Sequence, residues 1–175
     1  DQRSASSHSI SIRKLIEITE IPFENAEKAF SISGTPADCV KLGIKYLSTL
    51  GVKVDVVFSG INHGGNLGTD TLYSGTVSAA IEGSICGVQS FAVSVNSHLV
   101  KDFSVAGEIA VEALKKAYGN LDSKTVISIN VPPYPLNEIK GVKVIKLGER
   151  EYDEWFLAEK GEDGKTRYKY SGKPI

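Results

Sequence analysis

The sequence predicts an α/β protein, and two observations carry the prediction. Apolar, β-branched runs recur at residues 54–58, 89–95 and 126–131, and such runs are typical of strands that are buried on both faces. Segments with helical periodicity, residues 74–85 and 103–118, separate these runs. Strands that alternate with helices of this length form right-handed crossovers and a parallel sheet covered on both sides. The predicted architecture is therefore a three-layer αβα, Rossmann-like domain.

Ahead of these strands, the chain carries signals for one further strand and one further helix. Residues 26–33 have the composition of a short strand. Thr35 then stands where a helix start is expected, and Pro36 suits the first turn because no backbone donor is needed there. The helix predicted from these signals continues to Leu47.

The character of the chain changes after Pro135. Residues 141–147 have the apolar pattern of a strand. A Glu-Asp-Gly-Lys turn then separates two aromatic segments, residues 155–157 and 168–170, which is the pattern of a β-hairpin. An isolated hairpin is marginally stable in water, so we expect this one to pack on its own domain or on a second subunit.

The two ends of the chain lead us to expect that part of the natural protein lies outside it. The sequence contains no Met, and it opens on polar, Ser-rich residues that resemble the end of a loop. We therefore expect an α/β core at residues 1–135 whose N-terminal part is absent. A β-hairpin extension at residues 136–175 follows it as the predicted oligomerisation element.

Composition argues against several classes of partner. The formal charge of -1 is too close to zero for broad electrostatic binding of long nucleic acid. No apolar run approaches the length of a transmembrane helix, and the polar start lacks the apolar core of a signal peptide. We therefore expect a cytoplasmic protein without a membrane partner, and a small phosphate ligand stays compatible with the composition.

The segment between the first buried strand and the next helix is rich in Gly and Asn. Residues 59–68 read Ser-Gly-Ile-Asn-His-Gly-Gly-Asn-Leu-Gly, and Ser74, Gly75 and Thr76 open an Ala-rich helix. Backbone N–H groups at a helix start lack intrahelical acceptors, and the helix dipole adds positive potential, so the segment predicts an anion site. Helix capping by Ser74 and Thr76, and turn formation by the two Asn residues, are the competing interpretations.

Four blocks of sequence follow one another in the order that is typical of one known family. They are residues 1–10, residues 34–40 (Gly-Thr-Pro-Ala-Asp-Cys-Val), residues 59–77 and residues 129–132 (Ile-Asn-Val-Pro). Together they resemble the motifs of the SurE survival-protein family of metal-dependent 5′-nucleotidases. The resemblance covers nearly the whole chain, and it implies a phosphomonoesterase that removes phosphate from nucleoside monophosphates.

The resemblance also implies a set of site residues. In that family the metal ligands are two adjacent Asp residues, the Ser of a second loop and the Asn of Ser-Gly-x-Asn, and the last two correspond to Ser4 and Asn62. The Asp pair would lie upstream of Asp1, and composition alone would leave Ser4 solvated. Oxygen ligands of this kind suit Mg²⁺ or Mn²⁺ better than zinc. The phosphate would be held by Asn66 and by the three residues that open the Ala-rich helix.

The catalytic groups are left open by the sequence. The nucleophile is either an upstream Asp or a water, and His63 and His98 are acid/base candidates because imidazole titrates near neutral pH. A surface role for His98 competes with that interpretation. Asp70 is interpreted as the cap of a short turn, and Glu82 as a structural residue.

The sequence also bears on other functions and on the oligomeric state. A non-catalytic nucleotide-binding or phosphate-binding module stays open as the alternative function. A serine hydrolase and a dinucleotide-binding protein are disfavoured, because neither Gly-x-Ser-x-Gly nor Gly-x-Gly-x-x-Gly occurs. The family resemblance implies a homodimer or homotetramer formed through the extension.

Overall fold

The computed structural model describes residues 6–153, 156–172 and 175. Two short antiparallel strands, β1 (Ile18–Glu20) and β2 (Phe30–Ile32), come first in the chain. The strand predicted at residues 26–33 is therefore shorter than expected. Its partner β1 was not predicted, because three residues are too few to show an alternating pattern.

The main sheet has three parallel strands in the order in which they occur along the chain. These are β3 (Val56–His63), β4 (Gln89–Val95) and β5 (Val126–Val131). Three helices accompany them, namely α1 (Pro36–Thr49), α2 (Gly75–Ile85) and α3 (Ser104–Ala117). The parallel sheet and the α/β class predicted from the alternating pattern are confirmed.

Two apolar clusters lie on opposite faces of the central strand β4, all of whose residues are buried. On one face Ala92 packs with Val77 and Ala80 of α2. On the other face Val93 and Val95 pack with buried residues of α3. Because successive side chains of a strand point to opposite faces, the layers α2, sheet and α3 follow directly from this division.

A capping box fixes the start of α1. The Thr35 hydroxyl accepts a hydrogen bond from Asp38 N at 3.1 Å, and the Asp38 carboxylate accepts one from Thr35 N at 2.9 Å. Burial raises the pKa of Asp38, but the hydrogen bonds from Ser11 and Thr35 together lower it by a larger amount. The net pKa therefore lies below its usual value. The helix start predicted at Thr35 and Pro36 is confirmed, and Asp38 also secures the segment around Ser11.

The predicted boundaries differ from the observed ones in two places. Strand β3 continues to His63, with a shift in its register against β4 between Ser59 and Asn62. The Ser-Gly-Ile-Asn stretch, predicted as loop, therefore belongs to the strand. Residues 141–147 form no strand, and each of them is exposed, so their apolar pattern was misleading.

The predicted hairpin is present as β6 (Phe156–Lys160) and β7 (Thr166–Tyr170), which pair antiparallel. All residues of both strands are exposed. None of the helices in the described part of the chain has the length and apolar character that crossing a bilayer requires.

Candidate functional site

Three polar side chains form a row across the carboxyl end of the parallel sheet. Asn62 of β3 is in register with Ser94 of β4, and Ser94 is in register with Asn130 of β5. In open parallel sheets, ligands bind beyond the carboxyl ends of the strands. The row therefore marks the edge at which a ligand site is expected, and each of the three strands contributes one residue to it.

The Gly-rich loop is anchored to this row through Asn66. Its backbone N donates to Asn130 Oδ1 at 2.7 Å, and its backbone O accepts from Asn130 Nδ2 at 3.1 Å. Asn66 Nδ2 donates to Ser94 Oγ at 2.6 Å, and the residue is only 9% exposed. An Asn side-chain nitrogen carries two hydrogens, so one remains for a ligand such as the predicted phosphate.

The glycines at the start of the loop lie against neighbouring side chains. Gly64 has a φ of +86°, and its N donates to Val95 O at 2.8 Å. A Cβ at Gly64 would lie 2.6 Å from His98 Cε1, and one at Gly65 would lie 2.9 Å from Asn96 Oδ1. A side chain at Gly64 or Gly65 would therefore have to displace the exposed side chain of His98 or Asn96, and at Gly64 the positive φ would add backbone strain.

The predicted phosphate-binding residues at the start of α2 occupy the first turn of that helix. Ser74 is the N-cap, and its Oγ accepts from Val77 N at 3.1 Å. Gly75 and Thr76 are the next two residues, whose N–H groups have no intrahelical acceptor. A Cβ on Gly75 would lie 3.0 Å from Pro36 Cγ and 3.5 Å from Ser6 Oγ. Capping by Ser74 therefore coexists with N–H groups on Gly75 and Thr76 that have no acceptor among the described residues.

The two histidines predicted as acid/base candidates have different environments. His63 donates from Nε2 to Val100 O at 2.7 Å, and its ring lies edge-on to Phe103 with the centroids 4.8 Å apart. Because it follows Asn62 in a strand, His63 points to the opposite face of the sheet. His98 is exposed, and its ring lies against Gly64 of the loop. Of the two rings, that of His98 therefore lies against the loop and makes no hydrogen bond with the described residues.

Asn62 is the predicted metal ligand that the structure describes, since Ser4 lies outside the described residues. Asn62 Nδ2 donates to Gly64 O at 2.9 Å, and no donor from the described residues reaches its Oδ1. An amide oxygen of this kind is a hard donor that suits Mg²⁺ or Mn²⁺. The described residues contain no group of three or more His, Cys, Asp or Glu side chains that could hold a metal ion.

Comparison with known proteins assigns the chain to a family. The family model described as survival protein SurE matches residues 1–154. The chain belongs to the SurE family. It is 47% identical over 172 residues to a Clostridium beijerinckii protein named 5′-nucleotidase SurE, covering 94% of this chain and 66% of that protein. A protein of the same name from Synechococcus elongatus is 43% identical over 176 residues, covering 99% of this chain and 67% of that protein.

A solved structure agrees with this assignment. The crystal structure of the SurE protein from Aquifex aeolicus matches with a TM-score of 0.78 at 34% sequence identity, covering 97% of this chain and 67% of that one. The chain thus spans about two thirds of the length of these SurE relatives. The resemblance to the SurE family found from four sequence motifs is confirmed.

The structure of this SurE-family chain brings Asp70 into a contact that the sequence did not predict. Asp70 lies in a short 3-10 helix, Gly68–Tyr73, between the Gly-rich loop and α2. Its carboxylate accepts hydrogen bonds from Arg150 and Tyr152, so it joins the helix to the extension. No hydrogen bond links the Asp70 side chain to a backbone N–H of its turn, and the predicted capping role is wrong.

A second carboxylate, Glu82 of α2, is 3% exposed and joins two other segments. It accepts hydrogen bonds from Lys41 Nζ at 2.6 Å and His8 Nε2 at 2.9 Å. Burial raises the pKa of Glu82, but the hydrogen bonds and the charges of Lys41 and His8 together lower it by a larger amount. The net pKa therefore lies below the usual value. Glu82 thus has the structural role that was expected, and it ties the segment after Ser6 to both helices.

Ser94 and Asn130 support the site. Both end predicted strands, which places them at the carboxyl edge of the sheet where ligands bind, but the sequence assigned neither of them a specific contact. Ser94 lies in a fully buried strand, and a hydroxyl in such a strand needs a partner. Asn130 is a half-buried polar residue near the end of another apolar strand. Polar residues at the carboxyl ends of neighbouring buried strands were therefore the signal that identifies both.

Proposed function

We propose that this SurE-family protein is a metal-dependent 5′-nucleotidase that releases phosphate from nucleoside monophosphates. The observation that carries the proposal is the row Asn62, Ser94 and Asn130 at the edge where the Gly-rich loop leads into α2. Relatives named 5′-nucleotidase SurE that are 43% and 47% identical support the same activity.

The residues of this chain would bind and orient the phosphate ester. The free N–H groups of Gly75 and Thr76 would donate to phosphate oxygens, helped by the positive end of the α2 dipole. The remaining Nδ2 hydrogen of Asn66 would add a side-chain donor from the loop. Because these donors belong to an anchored loop and a capped helix, they are arranged before the substrate binds, which favours charge stabilisation in the transition state.

Asn62 belongs to the proposed metal site. Asn62 Oδ1 fits a hard divalent cation, and Ser4 and an Asp pair upstream of Asp1 are the further ligands that the family resemblance implies. A divalent cation held there would neutralise negative charge on the phosphate oxygens. His98, whose exposed ring lies against Gly64, is the described side chain best placed to give a proton to the leaving alkoxide.

The test is release of inorganic phosphate from a panel of nucleoside monophosphates by the full-length protein. The assay is run with EDTA, with Mg²⁺ and with Mn²⁺, on the natural protein and on Asn62→Ala. Asn120→Ala is the matched control, because Asn120 is an exposed Asn in the turn after α3. We expect turnover that needs the metal, that Asn62→Ala abolishes and that Asn120→Ala retains.

The same assay separates the alternative function. Absence of turnover with every metal, together with retained binding of the nucleotides, would identify a non-catalytic nucleotide-binding module. Turnover that is insensitive to EDTA would contradict the metal requirement but still support the phosphatase activity. Loss of activity in Asn120→Ala as well would show that the assay reports stability and not the site.

Assembly and location stay predictions. The exposed hairpin, with Phe156 60% and Tyr170 52% exposed, is a surface that a second subunit would cover in the expected homodimer or homotetramer. Light scattering of the full-length protein and of Phe156→Asp tests this, since a monomeric natural protein would contradict the assembly. Fractionation of cells tests the cytoplasmic location.

A further inference from the structure

An open cavity of about 360 Å³ lies next to the candidate site, at the carboxyl ends of β4 and β5. Its walls come from Val95 at the end of β4, residues 100–102, the first turn of α3 and residues 131–135. The volume lies within the range of small-molecule binding sites, which is about 300–1,000 Å³.

The cavity and the candidate site are built from adjacent residues. Val95 of the cavity wall follows Ser94, and Val131 follows Asn130. Ser94 and Asn130 are the two residues that anchor Asn66. Because side chains alternate along a strand, the site residues face α2 and the cavity residues face α3. A ligand that uses both would therefore lie across the carboxyl edge of the sheet, the usual position for ligands of parallel sheets.

The lining of the cavity combines a flat aromatic ring, an apolar wall and two charges. Tyr134 is 57% exposed, while Val95 and Val131 are buried and form an apolar floor. Lys101 and Asp102 are exposed at the rim. Asp102 Oδ1 accepts from Ser104 N at 2.8 Å, which leaves Oδ2 for a ligand donor. An aromatic surface with a donor and an acceptor beside it is what recognition of a nucleobase requires.

We propose that this cavity receives the nucleobase of a nucleoside monophosphate whose phosphate is bound at the start of α2. Tyr134 provides the stacking surface, and Lys101 and Asp102 contact the polar edge of the base. This inference rests on the proposed function, because it assigns the nucleoside part of that substrate.

The experiment compares two substrates that share the phosphate ester but differ in the base. The full-length protein and its variants are assayed on a nucleoside monophosphate and on ribose 5-phosphate, which has no base. Tyr134→Ala removes the stacking surface. Tyr118→Ala is the matched control, since Tyr118 is 53% exposed and lies at the opposite end of α3. Lys101→Ala is a second cavity variant at an exposed position.

The expected result is selective for the base. Tyr134→Ala raises KM for the nucleoside monophosphate about tenfold, as loss of one stacked base implies. It leaves kcat and KM for ribose 5-phosphate unchanged. Lys101→Ala raises the same KM, and Tyr118→Ala changes neither substrate. Equal effects of Tyr134→Ala on the two substrates, or no effect on either, overturn the cavity assignment alone. A natural protein that hydrolyses neither substrate overturns the proposed function and this inference with it.

Discussion

The hydroxyl group of Tyr152 donates a hydrogen bond to Oδ1 of Asp70 at a distance of 2.5 Å. Arg150 contacts the other carboxylate oxygen at 2.7 Å, and Thr69 Oγ1 donates to Arg150 O at 3.0 Å. Asp70 belongs to the 3-10 helix that connects the Gly-rich loop to α2. Residues 150–152, which the sequence placed in a separate extension, therefore pack on the element that leads into the candidate phosphate site.

The first prediction concerns the ionisation of Tyr152. The hydrogen bond to Asp70 is the main reason why the pKa of Tyr152 is raised from 10.0 to about 12. A raised folded pKa means that the stabilisation is complete below the unfolded pKa of 10.0 and is lost as pH rises towards about 12. We expect ultraviolet titration to show a tyrosine that ionises near pH 12 in the natural protein and that is absent from Tyr152→Phe.

The control for this titration is Tyr118→Phe. Tyr118 is exposed at the end of α3, and its replacement should leave the late-ionising tyrosine in place. A natural protein in which every tyrosine ionises together near pH 10 would contradict the contact between Tyr152 and Asp70.

The second prediction concerns the buried carboxylate of Glu82. We expect Glu82→Gln to lower the free energy of unfolding at neutral pH by about 1–3 kcal/mol, because hydrogen bonds to a charged acceptor are replaced by weaker ones. Since the folded pKa of Glu82 is lowered, its stabilisation is present above the unfolded pKa near 4.5 and is lost as pH falls through the folded value. The difference between the two proteins should therefore shrink in acid.

Denaturant unfolding at neutral and acid pH measures this difference. Glu108→Gln is the control, because Glu108 is an exposed residue of α3 and its replacement should change stability by less than about 0.5 kcal/mol. A Glu82→Gln difference that is constant with pH would mean that packing, and not charge, determines the effect.

The predicted parts of the fold are those that depend on local patterns. Strand β4 agrees with its predicted bounds, because a central strand of a parallel sheet is buried on both faces and reads as one apolar run. Strand β3 was predicted to end too early, since Gly60 and Asn62 are poor strand formers. Pairing of Asn62 and His63 with β4 continues the strand beyond the register shift. Residues 141–147 have strand composition, but no strand in the described part of the chain pairs with them.

The candidate site was predictable to a similar degree. The helix start at Ser74 follows from residue types and spacing. The roles expected for Asn62 and Asn66 follow from the family resemblance, since residue types alone also allow turn formation. The partners Ser94 and Asn130 depend on register between strands, which the sequence does not specify by itself. Contacts of Asp70 with residues 80 and 82 positions away depend on the docking of a distant segment, and no local pattern encodes such docking.

The third prediction tests how Asn130 anchors the Gly-rich loop. Asn130 makes two hydrogen bonds with the backbone of Asn66, and Asn130→Ala removes both. We expect a loss of about 1–3 kcal/mol in the free energy of unfolding, since buried backbone groups lose their partners. Hydrogen exchange of the Asn66 amide should become faster in this variant.

The controls for Asn130 separate the two hydrogen bonds. Asn130→Asp keeps an acceptor for Asn66 N but loses the donor, so its amide exchange should stay closer to that of the natural protein. Asn120→Ala should leave exchange at Asn66 unchanged, because Asn120 lies in an exposed turn and its side chain donates to Lys116 O at the end of α3. Equal exchange at Asn66 in all variants would mean that the loop is anchored elsewhere.

The fourth prediction compares two glycines that differ in their surroundings. Gly64 has a φ of +86°, and an added Cβ would lie 2.6 Å from His98 Cε1. Gly43 lies inside α1 with nothing within 4 Å of an added Cβ. We expect Gly64→Ala to lower the free energy of unfolding by about 1–3 kcal/mol, because the backbone conformation is strained for Ala and His98 must move.

Gly43→Ala should instead raise the free energy of unfolding by about 0.5–1 kcal/mol, because Ala is the better helix former and loses less conformational freedom on folding. Denaturant unfolding measures both changes, and the double variant Gly64→Ala, His98→Ala divides the cost at Gly64 into its two causes. Removing the imidazole relieves the contact but leaves the strain of the positive φ. Recovery of full stability in the double variant would show that the His98 contact, and not the backbone, makes glycine necessary at position 64.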